Sequence, residues 1–114
     1  MERNRYDYSY NLLLVDDDED DQQLFMHHVS GLPVAVTVFS SGAMALSYLR
    51  GLGRKDHPSL IVLDYRMPGL MGSEILLSLK RDSLLHHIPV IMYSSEMNEA
   101  LQAKLLADGA VKCF

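Results

Sequence analysis

Three short apolar runs stand out along the chain: Leu12-Leu13-Leu14-Val15, Leu60-Ile61-Val62-Leu63 and Val90-Ile91-Met92-Tyr93. Each is continuous rather than alternating, the pattern of parallel strands buried on both faces. A further run from Val34 to Phe39 is rich in β-branched residues but carries the polar Thr37, which suits a strand at the edge of the sheet. Between these runs the apolar positions change to helical spacing: Leu24, Phe25, His28, Val29 and Leu32; then Ala45, Leu46 and Leu49; then Ile75, Leu76 and Leu79; then Leu101 and Leu105. Ser41 and Ser73 fall where helix N-caps are expected, and Gly31, Gly51 and Gly109 fall just past expected helix ends. A fifth strand is expected to begin at Val111.

Strand followed by helix, repeated, implies parallel pairing with right-handed crossovers, hence a doubly wound α/β sheet clad in helices. Ligands of such sheets bind beyond the carboxyl ends of the strands, where the winding direction reverses. The positions just past the strand runs are Asp16, Asp17 and Asp18, then Asp64, then Ser94 and Ser95. All are acidic or hydroxylic, and the topology gathers them at one edge.

Composition narrows the field of functions. At 114 residues, 48% hydrophobic and 22% charged, the chain has the size and balance of one globular domain. Residues 1–10 read as an N-terminal tail or an extension of the first strand, with Tyr6, Tyr8 and Tyr10 alternating. A formal net charge of -5 leaves no basic footprint for nucleic acid or anionic lipid, and favours a cation instead. The lone cysteine, Cys113, cannot form an intrachain disulfide, so a reducing cytoplasm is expected. The apolar runs are far shorter than the ~20 residues of a membrane helix, and no signal peptide precedes them.

Carboxylates converging from Asp16, Asp17 and Asp64 would repel one another unless a cation sat among them. Oxygen-only ligands select a hard ion, and Mg²⁺ binds through one or two carboxylates plus waters, leaving positions for a phosphate. The site therefore suits phosphoryl transfer, with Asp64 as an anionic nucleophile forming an acyl phosphate. Ser94 could then donate a hydrogen bond to a phosphoryl oxygen and draw its loop inward. The rest of the acidic run, Asp18 to Asp21, reads as a solvated helix start favoured by the helix dipole. The pairs His27-His28 and His86-His87 read as surface residues, since adjacent positions do not share a helix face.

With these residues in place the chain resembles the receiver domain of two-component response regulators, from about Asn11 to the last residue. The resemblance rests on LLLVDDDEDD, SSGAMALSYL, SLIVLDYRMPGLMG, IPVIMYSS and the ADGA stretch, in that order. It implies a flavodoxin-like sheet of strand order 2-1-3-4-5, with residues 11–114 forming the receiver. It further implies that Asp64 is the phosphoacceptor and that Asp16 and Asp17 hold Mg²⁺ together with Asp64 and the backbone carbonyl of Arg66. Ser94 matches the switch hydroxyl, and Arg66 and Glu96 flank the site. The implied donor is a phosphohistidine on a sensor histidine kinase or a histidine phosphotransfer protein. The domain would then be a signalling module whose only chemistry is its own phosphorylation and dephosphorylation, not an enzyme acting on other substrates.

The sequence departs from the family pattern in several places. The family's lysine, of a Lys-Pro pair, would fall two residues beyond Phe114, and the helix after the fifth strand is likewise not in this sequence. One sheet face is therefore expected to be partly bare, inviting homo-oligomers. Cys113 stands where the family commonly has an aromatic residue, and Met71 replaces a usual polar residue before Gly72. Two other readings compete: a pseudo-receiver that binds partners without phosphorylation, and a haloacid-dehalogenase-like phosphatase in which Asp16, of Asp16-x-Asp18, is the nucleophile.

Overall fold

The computed structural model describes residues 10–114. Five strands alternate with four helices: β1 (Tyr10–Val15), α1 (Glu19–Val29), β2 (Val34–Phe39), α2 (Gly42–Arg50), β3 (Leu60–Asp64), α3 (Gly72–Arg81), β4 (Val90–Tyr93), α4 (Glu99–Ala107) and β5 (Lys112–Cys113). The strands form one parallel sheet in the order β2-β1-β3-β4-β5, with β2 at an edge as expected. Tyr10 extends β1, while Tyr6 and Tyr8 lie outside the described residues. No helix among the described residues is long and apolar enough to cross a membrane.

Strand periodicity divides the apolar runs between two faces. Leu13, Val15, Ile61, Leu63, Val90, Met92 and Cys113 join one core, packed against Ala45, Leu46 and Leu49 of α2, Ile75, Leu76 and Leu79 of α3, and Leu105 of α4. The other face carries Leu12, Leu60, Val62, Ile91 and Tyr93. With Leu24, Phe25 and His28 of α1, and with Phe114, these residues border an open cleft of about 900 Å³. Helix α1 buries none of its residues fully, and Leu24 stays 56% exposed.

Local chemistry sets most helix ends. Asp18 caps α1 by accepting from the amides of Asp20 (2.8 Å) and Asp21 (3.1 Å), and Ser41 caps α2 by accepting from the Met44 amide. Asn98 caps α4 through the Leu101 amide at 2.9 Å. Leu32, grouped with α1 by its spacing, lies beyond the helix and is exposed. The largest departure is at α3, where the expected cap Ser73 lies inside the helix and Met71 is the cap residue. There the Glu74 carboxylate accepts from the Met71 amide at 2.9 Å, and the Gly72 amide donates to the Tyr65 carbonyl at 3.0 Å. The loop returning from β3 thus caps the helix two residues before the serine.

Candidate functional site

The strand ends deliver their side chains by register. Leu14 pairs with Val62 and Val15 with Leu63, so Asp16 and Asp64 are the next positions on neighbouring strands. Asp64 is itself in register with Tyr93 of β4. Side chains opposed across a parallel pair share a face, which places Asp16, Asp64 and Tyr93 in one row across the middle of the sheet.

Carboxylate oxygens of Asp16, Asp17 and Asp64 all lie within 4.8 Å of one another, the only such group of three among the described residues. Asp16 is fully buried, Asp17 is exposed and Asp64 is half-buried. The Asp16 carboxylate is satisfied from two sides: Oδ1 accepts from the Asp18 amide at 2.9 Å, and Oδ2 accepts from the Tyr93 hydroxyl. Gln22 ties the start of α1 to the site, donating to the Asp16 carbonyl at 2.6 Å and to the Ser40 hydroxyl at 3.0 Å.

Electrostatics follow from this crowding. Burial, reinforced by the neighbouring Asp16 carboxylate, pushes the Asp64 pKa up to about 6, while the Arg66 amide, donating to its Oδ1 at 3.3 Å, works in the other direction. Burial, and then the neighbouring Asp16, Asp18, Asp20 and Asp17 carboxylates, also raise Asp21. The Tyr93 phenol is held protonated far above its ordinary range, first by burial and then by its bond to Asp16. The donor set fits a hard divalent ion: three oxygen ligands, converging negative charge, and open access from the side of Asp17.

Ser94 and Ser95 border the same cleft as Asp17, Asp64 and Arg66. The Ser94 hydroxyl accepts from the Glu96 amide at 3.0 Å, closing a tight turn, and the Ser94 amide donates to the Phe114 carbonyl at 3.0 Å. Across the mouth of the site, the Arg66 guanidinium pairs with the Glu96 carboxylate, joining the segments that follow β3 and β4. Both side chains are more than half exposed, so this pair adds little to stability and weakens with salt. The structure therefore gathers every residue singled out from the sequence: Asp16, Asp17, Asp64, Arg66 and Ser94. Tyr93 was missed, because an apolar run marks it only as strand; register with Asp64 is the signal that finds it.

Comparison with known proteins agrees with the fold. The family profile described as response regulator receiver domain matches residues 12–114. Two-component response regulator ARR17 of Arabidopsis thaliana is 36% identical over 109 residues, covering 88% of this chain and 71% of that protein. ARR15 of the same plant is 43% identical over an 83-residue alignment covering 66% of this chain and 40% of that protein, so the match spans under half of that relative. Among solved structures, the phosphorylated cyanobacterial phytochrome response regulator RcpA superposes with a TM-score of 0.81 at 29% identity, covering 92% of this chain and 79% of the other. The bacteriophytochrome response regulator AtBRR gives 0.79 at 28% identity, covering 92% of this chain and 80% of its own. A 2-1-3-4-5 parallel sheet, an acidic triad at its carboxyl edge and a family match over nearly the whole chain lead to one assignment: this protein belongs to the response regulator receiver domain family.

Proposed function

We propose that the domain accepts a phosphoryl group on Asp64 with the help of Mg²⁺, and that the modified site switches a partner-binding surface. The observation that carries this reading is the convergence of Asp16, Asp17 and Asp64 from the ends of two adjacent strands. Asp64 is the group to react. It is half-buried and open to the cleft, whereas Asp16 is fully buried with both oxygens engaged, which argues against the phosphatase reading with Asp16 as nucleophile. With a pKa of about 6, Asp64 is mostly ionised at pH 7.

The donor is a phosphohistidine on a sensor histidine kinase or histidine phosphotransfer protein. An Asp64 carboxylate oxygen attacks the phosphorus, a P–O bond forms, and the P–N bond breaks. The bonding pair stays on the imidazole nitrogen. Asp16, Asp17, Asp64 and the Arg66 carbonyl would hold a magnesium ion, which when bound would mask the negative charge of the phosphoryl oxygens. Ser94, at the head of the segment after β4, donates its hydroxyl proton to a phosphoryl oxygen and draws that segment toward Asp64. The Arg66–Glu96 pair connects the two segments that this movement rearranges. The domain works in the cytoplasm as a signalling module.

Incubation with Mg²⁺ and a small acyl phosphate donor, followed by peptide mapping, tests the reading. One phosphoryl group is expected on Asp64, dependent on Mg²⁺ and absent from Asp64→Asn. Labelling of Asp16 in its place, or no labelling of correctly folded protein, would refute it.

A further inference from the structure

Tyr93 belongs to the site by geometry. It ends β4 in register with Asp64, on the face that carries Asp16 and Asp64, and its hydroxyl donates to Asp16 Oδ2. The other Asp16 oxygen accepts from the Asp18 amide. Asp16 is 0% exposed, so these two donors take the place of water around a buried carboxylate. They differ in how readily each can leave. The Asp18 amide is fixed by the turn whose side chain also caps α1. The Tyr93 phenol ends a side chain that rotation about its own bonds can carry away from Asp16.

We propose that Tyr93 is a positioning residue that holds Asp16 while the acidic site lacks a cation, and releases Oδ2 when a divalent ion binds there. The phenol then turns away from Asp16, so the state of the acidic site is read at the end of β4. This rests on the metal reading given above and adds to it a competitor inside the protein. Removing the competitor acts in one direction: the Asp16 oxygen becomes free and less well satisfied without the ion, and both changes favour cation binding.

Calorimetric titration with MgCl₂ of the wild-type protein and of Tyr93→Phe tests the proposal, together with NMR of ring-labelled tyrosine in the wild type. Tyr93→Phe is expected to bind Mg²⁺ about three- to tenfold more tightly, as loss of one competing hydrogen bond implies. The Tyr93 ring signals are expected to move in step with saturation. An affinity unchanged within about twofold would overturn the proposal. A weaker affinity would overturn it too, since the phenol would then be a support that stays on Asp16 beside the ion. Should Tyr93→Phe fail to fold, the wild-type ring signals decide, and signals that stay still at saturation overturn the proposal. Wild-type protein that binds no Mg²⁺ would remove the metal reading and this proposal with it. Firm wild-type binding with an unchanged variant removes only the role of Tyr93.

Discussion

Gly72→Ala is expected to destabilise the domain by about 2–3 kcal/mol, the range of overpacking against atoms that cannot yield. A Cβ on Gly72 would lie 2.2 Å from the Asp64 carbonyl oxygen, 2.9 Å from the Tyr65 Cα and 3.0 Å from the Asp64 carbonyl carbon, all backbone atoms. The gain in helix propensity from glycine to alanine, about 1 kcal/mol in a helix interior, is smaller at this first helical position. Gly42 provides the control. Its Cβ would come equally close to a neighbour, 2.1 Å from Cδ1 and 2.8 Å from Cγ1 of Ile75, but these are side-chain atoms, which can shift further than backbone. Urea denaturation should show a large loss for Gly72→Ala and a smaller one for Gly42→Ala. The clash also pushes on the backbone of Asp64, so Gly72→Ala should accept phosphoryl poorly even where it remains folded. Equal midpoints for the two variants would contradict this account of how α3 meets β3.

Asp64→Asn should be more stable than the wild type near neutral pH in the presence of a metal chelator, although it loses phosphoryl acceptance. Folding raises the Asp64 pKa from 3.8 to about 6, chiefly by burial and then by the Asp16 carboxylate. The folded state therefore holds this proton more tightly than the unfolded chain. The resulting contribution to stability is complete below pH 4 and is lost as pH rises through 6. Two pKa units correspond to about 3 kcal/mol at full strength, and water screening of the half-exposed carboxyl reduces this to about 1–2 kcal/mol. Melting temperatures at pH 7 should thus differ by about 4–8 °C in favour of the variant. The two proteins should converge on acidification to pH 4. A wild type that equals or exceeds Asp64→Asn at pH 7 without metal would mean that the carboxylates are not crowded. Added Mg²⁺ should narrow the gap, because a cation relieves the repulsion that asparagine removes.

Why the sequence revealed so much of this architecture is clear from particular residues. In Leu12–Val15, Leu60–Leu63 and Val90–Tyr93 one face is fully buried and the other at least half-covered, so their continuous apolar character reports the central strands directly. Asp16, Asp17 and Asp64 follow those strands immediately, and parallel topology leaves them only one edge to occupy. The start of α3 was less legible. Ser73 has the chemistry of a cap, but the position was decided by the close approach of Gly72 to the Asp64 backbone, a tertiary contact that no local pattern reports. Tyr93 was hidden for a different reason: its hydroxyl matters only through Asp16, seventy-seven positions away, and the sheet register has to be known before the two are neighbours.

Soaking crystals of the domain in MnCl₂ and locating the ion by anomalous scattering addresses most directly whether one divalent cation is shared by residues from two strand ends. A single peak is expected among the carboxylates of Asp16, Asp17 and Asp64, and it should vanish in Asp17→Asn. An ion bound away from these residues, or a site that stays dark at saturating manganese in well-ordered crystals, would contradict the reading on which the phosphoryl chemistry depends.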